Sequence, residues 1–128
     1  MKSDTNFFVL ARLKSFKYAW RGLQDLLLNE HNSRVHLVAM VFVFVLGWSF
    51  DINSYEWIAV VLCIGFVLSL EAINSALEAL ADYSSSDYQE LIKKSKDLAA
   101  AGVLLSAITS VVIAGIIFVP KIIKCIYE

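Results

Sequence analysis

Glu71-Ala72-Ile73-Asn74-Ser75-Ala76-Leu77-Glu78-Ala79-Leu80-Ala81-Asp82 closes a long apolar run that begins near Trp57. Glu71, Asn74, Ser75, Glu78 and Asp82 recur at helical spacing and share one stripe of a helix turning about 100° per residue. Ile73, Leu77 and Leu80 take the opposite face. The stretch reads as a hydrophobic helix ending in a column of carboxylates and an amide. Ionisable groups in or beside a bilayer are costly and mark a functional site by default.

The chain around it has 128 residues, 59% of them hydrophobic, with a positive mean hydropathy. A soluble domain of this size cannot bury so much apolar surface. The apolar residues stand in blocks at 35–50, 55–70 and 98–120. With flanking residues each approaches the length of a spanning helix, the first being short for it. The expectation is one all-α membrane domain over 1–128. It has transmembrane helices at 35–50, 55–81 and 98–120 and an amphipathic surface helix at 4–29. Three helices are too few to enclose a site, so a homo-oligomer is expected. Gly65, Ser69, Ala72 and Ala76 offer a small-residue stripe for helix contact. The net charge of −1 gives no reason to expect a nucleic-acid partner. Cys63 and Cys125 lie far apart and have no metal-ligand spacing.

In the first segment Leu13, Phe16, Trp20, Leu23 and Leu27 recur at helical spacing, with Lys14, Lys17, Arg21 and Asp25 on the other side. A basic amphipathic helix with an aromatic face suits the membrane interface. Gly22 suggests a close approach by a ligand or another helix. No cleavable signal is expected, so the first span serves as its own insertion signal. Trp48, Tyr55 and Trp57 bracket the polar turn Asp51-Ile52-Asn53-Ser54 as an aromatic belt. Ser84 to Asp87 form a turn and helix start. Pro120 is expected to break the third span. Six basic residues, from Lys2 to Arg34, precede the first span and three lysines lie in the second loop, whereas the first turn has none. The N-terminus and second loop are therefore expected in the cytoplasm, with Lys121 and Lys124 mildly opposed. That orientation gathers Glu30, Glu78, Asp82, Lys96 and Asp97 at the cytoplasmic face.

Glu30 and Glu78 suit Mg²⁺, which is held by one or two carboxylates together with substrate phosphates. Lys96 supplies a cation for a phosphate, Asp97 a further acceptor, and Asn74 orients a neighbour. Glu71 lies deeper, and is expected on the lipid-facing side, where a carboxylate can take a proton from a lipid hydroxyl. Arg34 and His36 can reach headgroups, His36 without a catalytic role. Phosphoryl transfer at the membrane face fits these groups. A polar helix network or an oligomeric ion or proton conductor fits them on spacing alone. No glycine-rich phosphate loop is present.

The column resembles the signature E-x-x-N-[ST]-[SA]-x-E-x-x-x-D of the small bacterial integral-membrane diacylglycerol kinase and undecaprenol kinase family. Lys14 to Gly22, Asn29-Glu30 with Arg34, Asp87-Tyr88 and Lys96-Asp97 extend the similarity over nearly the whole chain, in order. The resemblance implies a multi-pass homotrimer in the bacterial inner membrane. Its activity would be ATP- and Mg²⁺-dependent phosphorylation of a lipid alcohol, diacylglycerol or alternatively undecaprenol, at the cytoplasmic face. It implies Glu71 as general base and Glu30 and Glu78 as ligands of the metal–nucleotide. Tyr18, Asp87, Tyr88, Gln89, Lys96 and Asp97 would contact ATP. Asn74, Ser75 and Asp82 would support the site, and Arg34 with Asn32 would lie near the lipid. The chain departs from the family at Ala11, where many members have arginine, and in the loop Tyr83-Ser84-Ser85-Ser86.

Overall fold

The apolar blocks and their polar breaks become four helices in the computed structural model, which describes residues 2–84 and 89–127. They are α1 (Lys2–Asn29), α2 (His31–Ser49), α3 (Ser54–Ser84) and α4 (Glu90–Tyr127). No strand occurs among the described residues. α2, α3 and α4 are long and apolar enough to cross a membrane. α2 gains its length by starting at His31, before the apolar block; its 19 residues span about 28 Å, close to the hydrocarbon thickness of a bilayer.

The turn between α2 and α3 is specified residue by residue. Phe50 caps α2, and Asp51 follows in the left-handed region with φ 44°. The Ile52 N–H donates to the Gly47 carbonyl at 3.1 Å and the Asp51 N–H to the Trp48 carbonyl at 3.3 Å. This pair of bonds is the Schellman arrangement, here with Asp in place of the usual Gly. Ile52 then folds back into the core, 4% exposed. Asn53 starts α3. Its Oδ1 accepts from the Tyr55 and Glu56 N–H groups at 2.9 and 3.1 Å, and Glu56 Oε2 accepts from the Asn53 N–H at 2.8 Å. The reciprocal pair is a capping box, which satisfies donors that a helix start otherwise leaves open.

Contacts along the helices fix their directions. His36 meets Glu71, while Phe44 stacks on Trp57 with ring centroids 5.6 Å apart. α3 therefore descends as α2 rises. Glu56 meets Lys121 at 3.2 Å and Asp82 meets Lys96 at 2.9 Å, so α4 is antiparallel to α3 and tied to it at both ends. The pairing with Glu56 offsets the charge of Lys121, one of the two lysines opposed to the expected orientation.

Ile52, Val60, Ile117 and Phe118 form the core near the α2–α3 turn. Trp48 and Tyr55 are exposed, as a belt requires, whereas Trp57 is half-buried against Phe44 and Gly47. Pro120 does not end the third span, contrary to the sequence expectation. α4 runs through it to Tyr127. Proline removes one helical hydrogen bond, and spanning helices tolerate it where neighbours hold the segment. Buried Ile117 and Phe118 hold one side of Pro120 and the Lys121–Glu56 pair the other. Most other large apolar side chains face outward, including Phe42, Phe66, Leu104 and Ile116. On the spanning helices such a surface is fitted to lipid or to another chain.

Candidate active site

The polar column lies at the end of the bundle away from the α2–α3 turn, and its members differ sharply in burial. Glu71 is 2% exposed and Asn74 5%; Glu78 and Ser75 are half-buried, and Asp82 is exposed. Glu71 thus does not face lipid, as its depth suggested. It points into the chain, where its Oε1 lies 2.9 Å from His36 Nε2 of α2. The imidazole N–H is not aligned on that oxygen, which has no well-formed hydrogen bond. Asn74 Nδ2 donates to Glu78 Oε1 at 3.0 Å, leaving the buried Asn74 Oδ1 without a partner. Ser33 of α2 is fully buried and its hydroxyl is also unpartnered. Counting helical turns from the His36–Glu71 contact brings Ser33 to the level of Asn74, and Glu30 to the level of Glu78. The α3–α4 ties bring buried Ser106 to the level of Glu71, its hydroxyl donating to the Val103 carbonyl at 2.7 Å.

Toward the polar end, Glu30 occupies the N-cap position of α2, yet its carboxylate makes no capping bond and stays available. It lines a cleft of about 530 Å³ between α1 and the small-residue face of α3, together with Ser69, Ala72, Ser75, Ala76 and Gly22. The stripe Ser69–Ala72–Ala76 therefore opens onto this cleft. Gly22 makes no close approach: a methyl added there meets nothing within 4 Å. Arg34, expected near lipid, turns its guanidinium back onto the Leu28 carbonyl and closes the end of α1. Asn32 is exposed.

Tyr18 is exposed on α1, whose Leu13, Phe16 and Trp20 also point outward. Lys96 precedes the apolar run of α4; its hydrogen bond to the Asp82 carboxylate raises the ammonium pKa above the ordinary lysine value. Asp97 accepts from Lys93 at 2.8 Å. Gln89 is exposed, and its carbonyl accepts the Lys93 N–H at 3.0 Å. Asp87 and Tyr88 lie outside the described residues. His36, expected to reach headgroups, instead turns inward to Glu71.

Among the described residues no three His, Cys, Asp or Glu side chains converge as a ready-made metal cage. Two carboxylates at one level, Glu30 and Glu78, still fit a hard divalent cation that keeps waters and takes its remaining ligands from a phosphorylated substrate.

A buried carboxylate and amide beside a half-buried imidazole, at the polar end of three helices long and apolar enough to span, define a small membrane protein with a polar site among its helices. The family model described as prokaryotic diacylglycerol kinase matches residues 17–118, and the chain belongs to that family of membrane lipid kinases. It is 35% identical over 109 residues to an undecaprenol kinase of Bacillus subtilis, covering 85% of this chain and 89% of the relative. It is 33% identical over 113 residues to a diacylglycerol kinase of Synechocystis, covering 88% and 65%. It is 31% identical over 100 residues to a diacylglycerol kinase of Escherichia coli, covering 78% and 82%.

Proposed function

We propose that the protein transfers the γ-phosphoryl group of ATP to the primary hydroxyl of a membrane lipid alcohol, with Glu71 as general base. The observation that carries this reading is the carboxylate of Glu71, 2% exposed at the head of the polar column that runs to Asp82. As the acceptor oxygen bonds to the γ-phosphorus, the bond to the bridging oxygen of ADP breaks. The hydroxyl proton passes to Glu71, which later releases it to solvent. A carboxylate so withdrawn from water favours a hydroxyl carried in by the acceptor over competing hydrolysis. Ala72 and Ser75, one and four residues after Glu71, line the cleft under α1, which would receive the acceptor.

Glu30 and Glu78 would hold Mg²⁺, and Asn74 orients the Glu78 carboxylate. The metal would neutralise phosphate charge when bound. Tyr18, Gln89, Lys96 and Asp97, with Asp87 and Tyr88, would contact ATP; Ser75, Asp82, Arg34 and Asn32 support the site. The protein would act as a homotrimer in the bacterial inner membrane, with the site at the cytoplasmic face. The acceptor by the family's description is diacylglycerol. Undecaprenol is the second reading, favoured by the similarity to the Bacillus enzyme.

The test is transfer of radiolabel from ATP in detergent with Mg²⁺, offering diacylglycerol and undecaprenol side by side. Label in one lipid names the acceptor. Glu71→Gln is expected to lose transfer by 10²-fold or more, the order that general-base catalysis supplies, while keeping nucleotide binding. Near-full turnover in that variant removes Glu71 from the role of base, and label in neither lipid refutes the kinase reading.

A further inference from the structure

Among the described residues the buried Glu71 meets a titratable side chain of another helix, His36, and that pairing has no place in the scheme above. A carboxylate this deep is tolerated only with a partner. At 2.9 Å, His36 Nε2 stands within hydrogen-bond reach of Glu71 Oε1 although it is not aligned on it, so a turn of the imidazole ring is enough to make it the donor to the carboxylate. The two residues come from different helices, so their contact fixes the carboxylate across the α2–α3 interface as well as locally. His36 is also the more accessible of the two. Its side chain is 22% exposed, against 2% for Glu71. It lines a separate cavity of about 290 Å³ among α2, α3 and α4, whose other walls are nearly all apolar, among them Met40, Val43, Ile64 and Val67. The column meets this largely apolar cavity through the imidazole. From α4 the same level offers Ser106, whose hydroxyl is committed to Val103.

We propose that His36 is a positioning residue for phosphoryl transfer: its imidazole holds the Glu71 carboxylate in the orientation that receives the acceptor proton. This rests on the reading of Glu71 as base. Without the imidazole the carboxylate keeps its depth but loses the donor that fixes its rotamer, and misplacing a catalytic group by about 1 Å lowers rate on the order of 10²-fold. Substrate affinities, set at the levels of Glu30 and Glu78 and in the cleft, stay as they are.

The experiment compares His36→Leu, which keeps bulk and removes the donor, with His36→Gln, whose amide can donate to the same carboxylate. Glu71→Gln runs beside them, all with the lipid acceptor dispersed in detergent. His36→Leu is expected to lower kcat about 10- to 100-fold, with KM for MgATP and for lipid within about twofold. His36→Gln is expected to recover most of the loss. If His36→Leu keeps kcat within twofold while Glu71→Gln is inactive, the positioning role is refuted and the base stands. If His36→Gln is as slow as His36→Leu, the donor is not the cause and the proposal fails. If Glu71→Gln itself turns over, it is the base reading that fails. A second readout does not depend on activity or on the fold of a His36 variant. The ¹⁵N signals of the His36 ring in wild type are expected to move in Glu71→Gln, and unchanged signals refute the contact.

Discussion

Of the five glycines, Gly47 is the one at which an added methyl meets resistance. A Cβ there would stand 2.7 Å from Trp57 Cη2, 2.9 Å from Trp57 Cζ2 and 3.1 Å from Ile52 Cδ1. Ordinary carbon contacts lie at about 3.5–4.0 Å, so the Trp57 ring must retreat by most of an ångström. It has little freedom to do so, because Phe44 stacks on it at 5.6 Å and Trp48 packs edge-on at 5.8 Å. Each aromatic pair is worth about 0.5–1.5 kcal/mol beyond its buried area, and overpacking a filled site costs about 1–3 kcal/mol. The better helix propensity of alanine returns up to about 1 kcal/mol. Gly47→Ala is therefore expected to destabilise by about 0.5–2 kcal/mol, with the loss concentrated at the α2–α3 turn. Thermal unfolding in detergent, followed by tryptophan fluorescence, measures it. Gly22→Ala is the control, since nothing stands within 4 Å of its added methyl, and its melting point is expected to hold or rise. A Gly47→Ala protein that melts as high as wild type refutes the argument from the Trp57 contact.

Other expectations follow from single bonds. Asp51, at φ 44°, occupies a position where glycine is favoured and a β-branched residue is strained by about 1–2 kcal/mol. Asp51→Gly should match or exceed wild type in melting point and Asp51→Val should fall below it; the reverse order would contradict the turn geometry. Asn74→Leu removes the donor to Glu78 Oε1 together with the unpartnered Oδ1. A hydrogen bond to a charged group is worth about 1.5–3 kcal/mol, so KM for MgATP is expected to rise about tenfold or more with little loss of fold stability. A KM within twofold of wild type would separate Asn74 from the nucleotide.

The spanning helices were legible because apolar residues in blocks of that length have nowhere to go but lipid or a partner. The stripe from Glu71 to Asp82 was legible because helical spacing is a local property. What local spacing does not contain is the direction in which a stripe faces, and there the reading of Glu71 went wrong. Depth along a helix does not fix exposure to lipid, because a carboxylate in hydrocarbon turns toward the nearest polar partner. That partner stands on another helix, at His36, and lies 35 residues earlier in the chain. A signal for it existed. The short turn of Phe50 to Asn53 forces α2 and α3 to run antiparallel, with register counted outward from their ends. His36 stands 13 residues before Ser49 and Glu71 17 residues after Ser54, a mismatch of about one helical turn. Folding the chain about its turn therefore puts His36 within a turn of Glu71, the deepest carboxylate of the column. Pro120 also depends on contacts that local sequence does not contain. Proline is a local breaker, but its neighbours Ile117, Phe118 and Lys121 are fixed by contacts to the far end of α3 and to the turn beside it, and those contacts carry the helix through.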